Sequence, residues 1–304
     1  MPGRANGRLP CVRAVVLGGS GFLGSHVADH LTRSGYQVSI FDREPSRWIS
    51  SDQEMVVGDI TDQEQVVEAT RGAHFVYNFA AIADIGDART DPLKSAEVNV
   101  LGNIVALQAC LKNAVSRYVL ASSLYVYSDA GSFYRCSKQA AESYVEEFAR
   151  EFDLEYTILR FGSLYGPRSD SKNGLRQMVR RAVEHRDLSY FGNPEAVREY
   201  IHVDDAAVAA VQILSEEFRN LQIVLSGQQA IQVSEVLGMI AEIIGIDKTG
   251  MRFEVTNDPG HYVRTPYSYR PSIAKKLIPK LSVDLGQGLV ELIRDVQSEV
   301  DAAI

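Results

Sequence analysis

Two serines, a tyrosine and a lysine stand close together in the stretch SSLYVYSDAGSFYRCSK, residues 122–138. Lys138 follows Tyr134 by four positions, so on a helix both side chains leave the same face. An ammonium beside a phenol favours the phenolate and lowers its pKa. A phenol tuned in this way can take the proton of an alcohol, and the Ser123 hydroxyl can hold that alcohol in line. Ser123, Tyr134 and Lys138 are therefore the candidate catalytic residues. Removing a proton from an alcohol is half of an oxidation, so the chain must also hold a hydride acceptor.

The preceding residues supply the elements for one. Residues 12–17 are a valine-rich apolar run that stops at GGSGFLG, which predicts a buried parallel strand and a tight glycine turn. SHVADHLTRSG then has helical periodicity, and QVSIFDRE reads as a second strand with Asp42 at its carboxyl end. Gly18, Gly21 and Gly24 lack side chains where a pyrophosphate must approach the backbone, and the helix that follows offers amide donors at its positive end. The loop Gly18, Gly21, Phe22, Leu23, Gly24 is the predicted dinucleotide cradle. Asp42 lies where a ribose hydroxyl needs a partner, which favours NAD over its 2′-phosphorylated form; Arg43 beside it is a residue that can receive such a phosphate.

The alternation continues. Strands are expected at 54–57, 74–79 and 117–121, and helices at 62–70 and, as one long piece carrying Asn99, at 91–113. Tyr134 is expected to begin a helix that runs to about residue 150. Asp59, Phe79 and Ser123 all fall at or just past strand ends, where ligands bind in open α/β sheets. The expected fold is α/β, a Rossmann-type doubly wound parallel sheet with a smaller C-terminal α/β lobe. The expected divisions are a loose tail at 1–11, an NAD-binding core at 12–165, and a mainly substrate-binding lobe at 166–304 with segments near 190–215 returning to the core.

GGSGFLG, Asp42, Gly58-Asp59-Ile60, Asn78-x-Ala80-Ala81, Asn99, the serine pair with Val126-Tyr127, and Tyr134-x-x-x-Lys138 together resemble an extended short-chain dehydrogenase/reductase. LRFGSLYGP and REYIHVDDAA resemble its nucleotide-sugar epimerase/dehydratase branch. The resemblance covers residues 12 to 245 well and the last sixty poorly. It implies that Ser123 is the catalytic serine, Tyr134 the base and Lys138 its partner at the nicotinamide ribose. It adds Asp59, Ile60, Phe79, Ala80, Ala81 and Asn99 to the NAD site, together with Phe161, which equally suits core packing. The ten residues between Ser123 and Tyr134 are about a dozen fewer than in most relatives. That implies a more open pocket, or one finished by a partner chain.

The resemblance also bears on the reaction. Related dehydratases carry an Asp-Glu pair just after the catalytic hydroxyl residue; this chain has Leu124 and Tyr125, which cannot supply elimination chemistry. What remains is C4 epimerisation through a transient keto sugar, with a ketoreductase or dehydrogenase as the alternative and a non-catalytic NAD(P)-binding regulator as the third reading. On the substrate side the expected contacts are Ser123, Ser163, Asn173 at the start of a basic helix, and Arg198, whose planar fork suits a diphosphate. Arg264 is a second phosphate candidate within the Tyr- and Arg-rich segment Tyr262, Arg264, Tyr267, Tyr269, Arg270. His202 reads as structural, and Asp204 and Asp205 as the N-cap and first turn of the next helix.

The bulk numbers fit this reading. A net charge of −8 argues against nucleic acid as a partner, and 45% hydrophobic with 23% charged residues is ordinary for a globular protein. No apolar run is long enough to span a membrane, the first ten residues carry no apolar signal core, and no metal is expected. Cys11, Cys110 and Cys136 lie far apart without ligand spacing, as free thiols of a cytoplasmic protein would. The partners expected are a nucleotide-diphosphate sugar and a second copy of the chain. A homodimer through the helices near 91–113 and 134–150 is implied by the resemblance, with Ala140, Ala141, Tyr144, Val145 and Phe148 fitting either such a face or the core.

Overall fold

In a computed structural model, the structure describes residues 12–254, 261–266, 275–277 and 283–302. The expected tail, Cys11, Tyr267, Tyr269 and Arg270 lie outside them. The main sheet takes β1 (Arg13–Leu17), β2 (Gln37–Asp42), β3 (Gln53–Val57), β4 (Phe75–Asn78), β5 (Arg117–Ser123) and β6 (Tyr156–Phe161). Three short strands follow in the chain, β7 (Ser163–Tyr165), β8 (Ser189–Phe191) and β9 (Val197–Arg198), then β10 (Tyr200–His202) and β11 (Leu221–Leu225). The last are β12 (Ile231–Gln232), β13 (Arg252–Glu254) and β14 (Lys275–Lys276). The main sheet runs β14-β11-β6-β5-β4-β1-β2-β3 with every pairing parallel. The doubly wound Rossmann-type fold is thus as the sequence implied.

The helices are α1 (Phe22–Arg33), α2 (Gln63–Ala69), α3 (Ile85–Thr90), α4 (Pro92–Ala96), α5 (Gly102–Lys112), α6 (Ser132–Phe152), α7 (Gly174–His185), α8 (Val203–Gln212), α9 (Val233–Ile244) and α10 (Leu285–Ala302). The pleat of β1 explains the two layers. Ala14 and Val16 pack with α1 and α8 on one face, whereas Val15 and Leu17 pack with α2, α5 and α6 on the other. A third core joins α7, α9 and α10. The parallel pair β7·β10 and the antiparallel pair β9·β12 link this part of the chain to the residues after β6.

The single long helix expected at 91–113 is instead broken. Asp91 caps α4 through Lys94 N and Pro92 opens it, and a π-helical turn at Glu97–Leu101 precedes α5. Side-chain periodicity does not register the one extra residue of a π turn, which often marks a functional site. Winding reverses between β1 and β4, so the chain parts there and leaves a crevice at the carboxyl ends of the strands.

Candidate active site

The crevice opens into a cleft of about 630 Å³. Gly18, Gly21, Phe22, Leu23 and Gly24 line one end of it. Gly18 has φ +79°, and a Cβ there would lie 2.4 Å from Ala80 N; one on Gly24 would lie 2.2 Å from Gly18 O. The turn is therefore closed so tightly that two of its glycines are obligatory. Gly21 is the N-cap of α1 and no side chain caps that helix, which leaves its first amides for an anion. Asp42 holds the turn from outside, accepting from Ser20 N at 3.0 Å. Phe79, Ala81 and Phe161 also line the cleft.

The other residues expected at the cofactor stand behind this surface. Ala80 packs on Gly18, and its N–H donates to Asn78 Oδ1 at 3.2 Å. Ile60 is buried against Gly102. Asp59 Oδ1 accepts from Thr61 N and Thr61 Oγ1; these bonds, with the Arg43 and Lys94 charges, hold its carboxyl below the usual range. Arg43 itself is exposed. Asn99 sits in the π turn, where its Oδ1 accepts from Ile82 N at 2.7 Å while its Nδ2 donates to Ile82 O at 3.0 Å and Ser137 Oγ at 2.9 Å. Its amide ties the loop after β4 to α6, so its place in the fold is that of a brace.

Ser123, Tyr134 and Lys138 converge on the cleft from β5 and α6. Ser123 Oγ accepts from Tyr125 N at 3.3 Å and stands near the Tyr134 phenol. The expected effect of lysine on tyrosine is not what the protein alone displays. Burial pushes the Tyr134 phenol up to about 12, against the opposing influence of the nearby Ser123 hydroxyl. Lys138 Nζ donates to Ala121 O at 2.8 Å and lies 5.9 Å from the Tyr134 ring centroid. Burial lowers its own pKa to about 8, with Glu142 pulling the other way.

Glu142 belongs to a buried network behind the trio. It accepts from Ser122 Oγ at 2.5 Å and takes both arms of Arg160, at 2.9 and 2.6 Å. Arg160 in turn reaches Tyr127, at the end of the short turn Leu124–Tyr127. Sequence spacing alone contained no sign of this network, because it joins β5, α6 and β6.

At the far end of the cleft the structure brings in Arg198, Arg181, Tyr190 and Phe191. Among the described residues neither arginine is ion-paired. Arg198 donates to Val197 O and stands over the Tyr262 ring at 4.6 Å, while Arg181 stands over Phe191 at 5.0 Å with its Nε buried and unbonded. Arg181 was not singled out in the sequence; the spacing Arg176, Arg180, Arg181 carried the signal. Arg176 and Arg180 turn away from the cleft to pair with α10, through Asp295 and Glu299. Arg264 is exposed and the described walls of the cleft do not include it. Ser163 lines the cleft near Tyr262. Asn173 also lines it, but its side chain caps α7 through Arg176 N and donates to Leu164 O.

The short Ser123–Tyr134 connection does not leave the cleft open at this point. Tyr125 Oη hydrogen-bonds His261 Nδ1 at 2.6 Å, and the Tyr262 ring lies 4.8 Å from that of Tyr125. A segment from late in the chain thus fills the space, a relationship invisible in local spacing. His202 is structural as read, but it is itself the N-cap of α8, accepting from Asp204 N. Asp204 and Asp205 are first-turn residues. Hydrogen bonds from His26 and His30 hold the Asp204 carboxyl far below its usual range. Among the described residues no helix is long and apolar enough to cross a membrane, and no cluster of ligands suits a metal ion.

The profile of the NAD dependent epimerase/dehydratase family matches residues 14–224. A UDP-glucose 4-epimerase of Rhizobium leguminosarum bv. trifolii is 26% identical over 269 residues, 75% of this chain and 81% of that protein. A dTDP-glucose 4,6-dehydratase of Mycobacterium tuberculosis is 25% identical over 292 residues, covering 86% of this chain and 85% of its own. Among solved structures, the UDP-glucose 4-epimerase of Thermotoga maritima with UDP-glucose superposes with a TM-score of 0.83 at 25% identity, over 95% of this chain and 100% of that one. Epimerase and dehydratase stand at nearly the same identity, so similarity alone does not choose between them.

Proposed function

The chain belongs to the NAD dependent epimerase/dehydratase family, with NAD as its cofactor, and we propose that within this family it is a nucleotide-sugar 4-epimerase. One observation carries the reading: the Ser123–Tyr134 hydroxyl pair faces a cleft whose described walls hold no carboxylate left over for elimination. Leu124 is fully buried and Tyr125 is a phenol. The two acidic residues of the described walls are engaged as caps, Asp84 by Asp87 N and Asp170 by Lys172 N and Asn173 N. Dehydration needs an acid and a base beside the sugar; reversible oxidation needs only the trio.

When bound, NAD supplies a reversible hydride acceptor. Ser123 aligns the sugar hydroxyl, Tyr134 takes its proton and returns it to the same oxygen once the keto sugar has turned its other face to the site of hydride return, and Lys138 carries the nearby positive charge. Gly18, Gly21, Phe22, Leu23 and Gly24 present amides to the pyrophosphate, with Asp42, Asp59 and Ile60 flanking them and Asn99 bracing the loop opposite. Arg198 and Arg181 grip the substrate diphosphate, and Phe191 and Tyr190 suit the nucleobase. The residues after 165 chiefly form the substrate side. UDP-hexoses are the first substrates to try, since the similar proteins include enzymes named for UDP-glucose.

A cytoplasmic setting fits the free thiols Cys110 and Cys136. A homodimer through α4 to α6 is supported by the exposed Leu93, Leu101, Tyr144 and Phe152; Ala141 and Val145 of the expected stripe belong to the core. Light scattering at micromolar concentration tests the dimer.

The deciding experiment is proton NMR of the protein with a panel of nucleotide hexoses, trace NAD and no reductant. A new stereoisomer at equilibrium supports epimerisation and identifies the sugar. Turnover only with stoichiometric NADH or NADPH and a keto sugar would replace it with a ketoreductase, a role in which the exposed Arg43 could meet a 2′-phosphate.

A further inference from the structure

Tyr125 occupies an unusual place. It lies two residues after Ser123 and lines the cleft, its ring edge-on to that of Tyr134 at 6.2 Å between centroids. It is wedged from two sides. A Cβ on Gly131 would come within 2.7 Å of Tyr125 Cδ1, so the short loop can follow this path only with glycine there, at φ +98°. On the other side the Tyr262 ring packs at 4.8 Å, and Tyr262 in turn carries Arg198 on its face. The Tyr125 hydroxyl points to His261 Nδ1 at 2.6 Å, and His261 also lines the cleft.

We propose that Tyr125 is a specificity-determining residue, its hydroxyl oriented by His261 to read the sugar beside the carbon held between Ser123 and Tyr134. The ring fixed by Gly131 and Tyr262 has little freedom to withdraw, so a substituent on the neighbouring part of the sugar must either bond the Tyr125–His261 pair or displace it. Burial holds the Tyr125 phenol far above its ordinary value, which keeps it a neutral hydrogen-bonding group throughout the working pH range. A polar group held in place discriminates sharply between sugars that can pair with it and sugars that cannot.

This inference rests on the nucleotide-sugar reading above. The test compares wild type, Tyr125→Phe and His261→Ala. It uses kcat/KM for UDP-hexoses, UDP-pentoses and UDP-N-acetylhexosamines, with NAD affinity and Tm as controls. Tyr125→Phe removes one oxygen and leaves the packing intact. The expected result is a change of about ten-fold or more in the ratio of kcat/KM between at least two of the sugars. His261→Ala shifts the same ratio in the same direction, while NAD affinity and Tm hold. An equal loss for every sugar, or no loss, would overturn the proposal and leave Tyr125 as packing. If wild type turns over none of these substrates, the nucleotide-sugar reading fails and this inference falls with it. That result is distinct from an active enzyme with unaltered preference.

Discussion

Lys138 and Tyr134 share one face of α6 without sharing a hydrogen bond. The lysine ammonium donates to Ala121 O at 2.8 Å and lies 5.9 Å from the tyrosine ring, so it can act on the phenol only through space. The reactive form needs Tyr134 as phenolate and Lys138 still charged. With the phenol near 12 and the lysine near 8, the phenolate fraction grows ten-fold per pH unit, but above about 8 the charged lysine declines at the same rate. Log kcat for the oxidation step should therefore rise with unit slope below about pH 8 and flatten above it. In Lys138→Met the rise should continue past 8 from a much lower base, and Tyr134→Phe should lose roughly 10²–10⁴ in kcat while still binding NAD. A wild-type profile that is flat from pH 6 to 10 would exclude Tyr134 as the base.

The same lysine has a consequence for stability. Its folded pKa of about 8 lies below the ordinary 10.5, because burial disfavours the charge. Between these values the unfolded chain binds more protons than the folded one, so folding stability from this group rises with pH across that window. Below about 8 the burial cost is constant, at about 3 kcal/mol. Lys138→Met carries no such burial cost. Chemical denaturation at pH 7.5 and pH 10 should show wild type gaining on the variant, and parallel behaviour of the two proteins would mean that the lysine is not held as described.

The glycines of the first turn should separate by role. Gly24→Ala puts a methyl 2.2 Å from Gly18 O, with backbone on both sides, and should cost roughly 1–3 kcal/mol or more of stability. Gly21→Ala meets only an ordinary 3.4 Å contact and should fold with unchanged Tm. Its methyl stands at the uncapped start of α1, so it should weaken NAD binding. Calorimetry with NAD, beside thermal melts of both variants, checks this split.

What could be read in the sequence follows from the range of each interaction. The glycine turn was legible because its cause is local: strand, tight turn and helix leave no room for side chains at 18 and 24. The shared face of Tyr134 and Lys138 is legible from the helix period, whereas the choice of Ser123 over Ser122 comes from the resemblance. Asn99 was found by resemblance, yet its partners Ile82 and Ser137 are 17 and 38 residues away, so its bracing geometry was not. Arg181 lay inside a basic run, and only the distant acids of α10 decide that Arg176 and Arg180 turn away from the cleft while Arg181 faces it. The Tyr125–His261 contact spans 136 residues and has no periodic signature at all.

The buried pair Glu142–Arg160 offers a test of how the short connection keeps Ser123 in register. Glu142 binds Ser122, the neighbour of the proposed catalytic serine Ser123, while Arg160 binds both Glu142 and Tyr127. Removing the acid alone leaves Arg160 charged and buried without its partner, which costs roughly 3–5 kcal/mol. Glu142→Ala should therefore melt well below wild type. Replacing both, as Glu142→Leu with Arg160→Met, removes the unpaired charge and should recover most of that loss. The double variant would still lack the bond to Ser122 and the link to Tyr127, so β5 would end without its anchor. Its kcat should fall about ten-fold or more with Tm near wild type, because a small misplacement of reacting groups is costly in rate. Ser122→Ala, which deletes one bond and no charge, should fall between the two in kcat and unfold like wild type. Full activity in the double variant would show that the network serves stability alone and that β5 holds Ser123 without it.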